Sequence, residues 1–124
     1  MSRNRKSAKK AGARFERDIS DYLAETIDDR IDRKVRTGAK DSGDIANVRT
    51  PTGRRVTIEC KNTARMELAQ WTREADTERV NAGDDIAVVV HKRHGVAAAG
   101  SQWVTMTVDE FVKLLGGEID GDAL

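Results

Sequence analysis

The sequence predicts an α/β domain in which helices flank a mixed β-sheet, in the order α-β-β-β-α-β-β-α. Three observations carry that expectation. Apolar residues recur with helical spacing from Phe15, and side chains alternate with period two between Ile31 and Lys61. A continuous β-branched run, Ile86-Ala87-Val88-Val89-Val90, then follows a second helical stretch. The 124 residues fit one domain. They divide into a flexible basic arm over 1–10, a single domain over 11–116 and a flexible acidic tail over 117–124.

The first helix is expected from about Ala11. Phe15, Ile19, Tyr22, Leu23 and Ile27 form one face, with Glu16 at its border. Ile31, Arg33 and Val35 alternate with Asp32, Lys34 and Arg36 as a strand at a sheet margin. A loop with two glycines, 37–43, leads to a second strand over 44–49. Thr50-Pro51-Thr52-Gly53 places proline second and glycine fourth in a β-turn, so a third strand over 54–61 closes an antiparallel hairpin. In that strand Val56, Ile58 and Cys60 face one way, and Arg55, Thr57, Glu59 and Lys61 the other. Leu68, Trp71 and Ala75 mark a helix over 65–80, with Glu67, Glu74 and Glu78 on its wet side and Gly83-Asp84-Asp85 ending it. The stretch 93–101 reads as loop and 103–106 as a strand. Thr107 and Glu110 have the spacing of a capping box that opens a short helix through Phe111, Leu114 and Leu115, stopped by Gly116-Gly117.

The formal net charge of +1 conceals an asymmetry. Six of the 22 Lys and Arg fall within residues 1–14, where there is no acid, leaving 16 against all 21 acids. That arm, Arg3, Arg5, Lys6, Lys9, Lys10 and Arg14, can gain affinity for phosphates by releasing counterions, or can be a solvated terminus. The lone cysteine, Cys60, excludes an internal disulfide and a Cys-rich zinc site. No apolar run reaches membrane-spanning length, and no apolar stretch follows the basic start as a secretory signal requires. A reduced, cytoplasmic setting is expected.

The chemistry concentrates at Asp44 and at Ile58-Glu59-Cys60-Lys61. Glu59 and Lys61, two apart in a strand, project to one face roughly 6–7 Å from each other. Asp44, at the start of the neighbouring strand, can approach Glu59 across the ladder. Two close carboxylates repel, and a hard divalent ion, Mg²⁺ or Mn²⁺, relieves that repulsion through oxygen ligands. Lys61 can orient an attacking water or offset charge at phosphorus. Glu16 can add a carboxylate if its helix packs beside the hairpin, and the Cys60 carbonyl can add an oxygen. The competing view is an ordinary Glu–Lys pair on an exposed strand.

Gly43-Asp44 followed by Ile58-Glu59-Cys60-Lys61 after a hairpin resembles the PD-(D/E)xK nuclease motif. Gly12-Ala13-Arg14-Phe15-Glu16-Arg17 is similar to the Gly-x-x-x-Glu-Arg of the Holliday-junction resolvase branch. Arg36-Thr37-Gly38 and Gly43-Asp44 match that branch's arginine and glycine-containing loop before the aspartate. The resemblance, strongest to small phage-encoded resolvases, covers about residues 10–92; no proline precedes Asp44. It implies a restriction-endonuclease-like core and a Mg²⁺-dependent endonuclease, with Mn²⁺ as substitute. Glu16, Asp44 and Glu59 become metal-binding acids and Lys61 the catalytic lysine. Arg36 and the loop residues Thr37, Lys40 and Ser42 lie beside the scissile phosphate, and Gln70 is a second-layer residue. Four-way junction DNA is the implied substrate, and symmetric cleavage calls for a homodimer.

Two rivals stay open: a nuclease of the same core acting on flaps, single strands or duplex, and a DNA-binding module without catalysis. His91 and His94, beside Lys92 and Arg93, read as a solvated or phosphate-facing basic cluster. Cys60 reads as core, and Trp71 and Trp103 as core or interface in preference to base-stacking platforms.

Overall fold

The structure, a computed structural model, describes residues 4–35 and 40–119. Arg3, Arg36, Thr37 and the last five residues of the expected acidic tail lie outside the described residues. The chain is α/β. Its elements run α1 (Arg5–Thr26), β1 (Asp32–Arg33), β2 (Ile45–Ala46), β3 (Val56–Lys61), α2 (Leu68–Ala82), β4 (Ile86–His91), a 3-10 turn (Ala99–Ser101), β5 (Trp103–Thr105) and α3 (Val108–Leu114). The predicted order holds, with shorter strands.

The longest departure is at the start. Helix α1 begins at Arg5, not near Ala11, because Asn4 caps it by accepting a hydrogen bond from the Ser7 N–H at 2.8 Å. Residues of the expected flexible arm are therefore helical from Arg5 onward. Phe15 and Ile19 are buried as expected, whereas Tyr22 and Ile27 are exposed.

Strands β3, β4 and β5 form a mixed sheet with β4 in the middle: β3 and β4 run parallel, β4 and β5 antiparallel. Strands β1 and β2 make a separate antiparallel pair. The expected hairpin is present but irregular. Backbone bonds Asp44 N–H to Ile58 O and Val56 N–H to Val48 O, each 2.9 Å, tie the β2 segment antiparallel to β3. Regular pairing breaks at Asn47, whose φ is +69°, which shortens β2 to two residues. The turn before β3 closes as predicted, with the Gly53 N–H bonded to the Thr50 carbonyl at 2.9 Å.

All six residues of β4 are buried, as a central strand covered on both faces requires. One face packs Ile86, Val88 and Val90 with Val56 and Ile58 against Phe15 and Ile19 of α1. The other packs Ala87 and Val89 against Trp71 and Ala75 of α2. Burying Ile86 and Val89 completely stabilises the fold by about 1.5–3 kcal/mol each. Glu59 and Lys61 alternate with Ile58 and Cys60, so they lie on the α2 face. Among the described residues no helix is long and apolar enough to cross a membrane.

Helix α3 departs from its apolar reading. Thr107 accepts from the Glu110 N–H, but Glu110 does not complete the capping box. Its carboxylate instead accepts the Ala87 N–H at 2.7 Å, covering an edge of β4 that β5 is too short to pair. Lys113 pairs with Glu110 at 2.6 Å and donates to the Asp85 carbonyl at 2.7 Å. The helix turns this buried ion pair to the sheet and leaves Phe111, Leu114 and Leu115 exposed. Glu110→Ala removes the acceptor of a strand N–H and the carboxylate paired with a buried ammonium, and should cost about 3–5 kcal/mol of unfolding free energy in denaturant titration. The double change Glu110→Leu with Lys113→Met should recover much of that loss. A cost below about 1 kcal/mol for Glu110→Ala contradicts this role for the α3 contact.

Candidate metal centre

Gly43 sets the position of the first acid. Its φ is +100°, and a Cβ there would lie 3.0 Å from the Thr57 methyl and 3.4 Å from the Ile58 carbonyl oxygen. Only glycine lets the chain approach β3 this closely without strain. Asp44 then bonds to the strand twice. Its N–H reaches the Ile58 carbonyl, and its carboxylate accepts the Cys60 N–H at 2.8 Å. The Cys60 carbonyl shares that edge of the strand with its N–H, so it too points toward the Asp44 side.

Asp44 is 4% exposed and Glu59 8%. Burial first, then the touching Asp44 carboxyl and the nearby Glu78, push the Glu59 carboxyl up to about 11. Lys61 opposes this only in part, with its ammonium 3.6 Å from Glu59 and 2.9 Å from Glu74. Burial works against the charge on Lys61, but Glu74 and Glu59 outweigh it and hold the ammonium above its ordinary range. Lys61 is therefore a stable cation and not a base.

Helix α2 supplies acids that its spacing assigned to solvent. Glu67 is exposed as expected, but Glu74 pairs with Lys61 and Glu78 is only 3% exposed. Both Glu78 oxygens are buried without a hydrogen-bond donor. Burial, followed by Asp41, raises its carboxyl to about 8. Asp41 comes from the loop before Gly43. The Asn81 side chain of α2 donates to the Asp41 carbonyl at 2.7 Å and pins that loop to the helix. Asp41, Glu59 and Glu78 each offer an oxygen, all within 4.8 Å of one another. Clustered carboxylate oxygens at this spacing, with those of Glu78 buried and reached by no N–H or hydroxyl, suit a hard divalent cation. The group can hold a metal ion.

The other expected site residues are more dispersed. Glu16 lies outside this oxygen set and pairs with Arg33 at 3.2 Å. Cys60 packs against the core, and burial together with Asp44 pushes its thiol far up, so it stays protonated and is no nucleophile. Gln70 is exposed on the first turn of α2, and Lys40 is exposed on its loop. Ser42 accepts from the Lys34 ammonium through its carbonyl at 2.8 Å. Arg5, Lys6, Lys9, Lys10 and Arg14 all lie on α1, and all five are exposed. Lys6, Lys10 and Arg14 fall at four-residue intervals, one above another on the helix. Lys10, Arg14 and Lys92 border a cleft of about 500 Å³ between α1 and the ends of β3 and β4.

Of the basic cluster around β4, His94 is exposed, its ring donating to the Thr63 carbonyl at 2.7 Å, but the other members are engaged by the fold. His91 is buried, bonds to the Thr105 hydroxyl at 2.7 Å and packs against Trp71, and burial lowers its pKa. Lys92 binds the carbonyls of Arg93 and Val96, and Arg93 stacks 4.3 Å over Trp103 while donating to the Ser101 carbonyl. These cations organise the loop after β4. Trp71 is core as expected, whereas Trp103 is 45% exposed beneath Arg93.

The chain matches no family model, no curated protein and no solved structure.

In the unfolded chain Glu59 and Glu78 return to the ordinary carboxylate range, so between that range and their raised values the folded state holds more protons. Stability contributed by Glu78 is full below about 4.5 and is lost as pH rises through about 8. The metal-free protein should melt at a higher temperature at pH 5 than at pH 8, and Glu78→Gln should flatten that slope. A melting temperature with the same pH dependence in both proteins contradicts this role for Glu78.

Proposed function

We propose that the chain is a metal-dependent DNA endonuclease of the PD-(D/E)xK type, with four-way junctions as its preferred substrate. The observation that carries this reading is the convergence of Asp44, Glu59 and Lys61 at the end of β3, beside further buried carboxylates. The element order, with a β2–β3 hairpin and α2 crossing between parallel β3 and β4, supports a restriction-endonuclease-like core.

Asp44, Glu59 and the Cys60 carbonyl are the ligands for Mg²⁺, with Mn²⁺ as substitute. A bound ion supplies charge neutralisation at the phosphate and at the leaving oxygen. Lys61, kept protonated by Glu74 and Glu59, donates hydrogen bonds to the attacking water or to a phosphate oxygen. Glu16 acts at the margin, through Arg33. Lys6, Lys10 and Arg14 hold backbone phosphates along one face of α1. Two copies of the chain supply the two cuts that resolve a symmetric junction.

Purified protein should cut an immobile four-way junction with Mg²⁺ and not with Ca²⁺. Glu59→Ala and Lys61→Ala should each slow cleavage by at least about 100-fold while leaving junction binding intact. Lys10→Ala with Arg14→Ala should weaken binding and reduce its salt dependence. Full activity in Glu59→Ala would falsify the site. Equal cleavage of linear duplex points to other DNA, and binding without cleavage in any metal points to a non-catalytic module.

A further inference from the structure

Glu59 belongs to two carboxylate neighbourhoods. On one side it touches Asp44, whose carboxylate also accepts the Cys60 N–H. On the other it meets Asp41 and Glu78, and Asp44 is not part of that oxygen set. A cation between Asp44 and Glu59 leaves Glu78 unanswered. Its two oxygens are buried, no N–H or hydroxyl reaches them, they meet only the carboxyls of Asp41 and Glu59, and Lys61 pairs with Glu74 and Glu59. A buried carboxylate in that state takes either a proton or a cation.

We propose that Asp41, Glu59 and Glu78 form a second cation subsite on the α2 side, so that Glu59 is shared between two hard divalent ions. This rests on reading Glu59 as a metal ligand in the proposed nuclease. Three elements build the subsite: the loop through Asp41, β3 through Glu59 and α2 through Glu78. The Asn81 bond to the Asp41 carbonyl fixes the loop over the helix, and Asp41 Oδ1 accepts the Gly43 N–H at 3.2 Å. Glu59 and Glu78 give the charge that dehydrates an ion, while Asp41, exposed on its loop, is the entry from solvent.

Mn²⁺ is the probe, counted by isothermal titration and by electron paramagnetic resonance of the free ion. The wild-type chain should bind two Mn²⁺ and Glu78→Gln one. Asp41→Asn, an exposed change that leaves the core alone, should weaken the second Mn²⁺ by at least about tenfold. Asp44→Asn should spare the Asp41–Glu78 subsite. A wild-type stoichiometry of one or none, or the same two ions bound with the same affinity in Glu78→Gln and Asp41→Asn, overturns the proposal. DNA cleavage is scored separately: two bound Mn²⁺ without cleavage overturns the nuclease reading and leaves the subsite standing.

Discussion

Asp44 performs two functions at the edge of β3, and the centre depends on both. Its N–H continues the hairpin ladder to Ile58, and its carboxylate caps the Cys60 N–H where β2 has ended. That arrangement requires Gly43 to pass within contact distance of Thr57 and Ile58, in a backbone conformation that side chains disfavour. Once Asp44 is locked to the strand, it lies against Glu59. The strand period then places Lys61 on the same side.

The crowding of these acids has an electrostatic consequence. Burial and the neighbouring carboxyls make a fully ionised Glu59 unstable without a counter-charge. Lys61 cannot supply it alone, since Glu74 takes its closer contact. In the absence of metal, protons hold the group together. A divalent ion bound there would displace them and give the acids a charge they can share. The cost of assembling these acids is met elsewhere, by the core on both faces of β4 and by the Glu110–Lys113 pair that covers its edge.

The periodic parts of this fold were legible in the sequence. The stripe at Phe15 and Ile19, the Thr50 to Gly53 turn, the alternation through β3 and the apolar run of β4 each express one local rule. Asp44, Glu59 and Lys61 were legible for the same reason, because strand spacing and a hairpin suffice to bring them together. Glu78 was not. A helix that packs on a sheet beside buried acids can turn a glutamate inward, and α2 has few large apolar residues to mark its inner face. The spacing Trp71, Ala75 and Glu78, at offsets 0, 4 and 7, was the available signal, since it places Glu78 on the Trp71 side. His91 was misplaced for a similar reason: its basic neighbours suggested solvent, while the strand period put it beside Trp71. The Glu110 contact with Ala87 is a tertiary bond that no local spacing could reveal.

The proposed activity turns on Glu59 as a metal ligand. Crystals of the protein soaked in Mn²⁺ and measured at the manganese absorption edge test that role most directly. An anomalous peak is expected at bonding distance, about 2.0–2.6 Å, from the Glu59 carboxylate. Saturating Mn²⁺ with no peak at Glu59, or with peaks only on surface acids remote from β3, would contradict it.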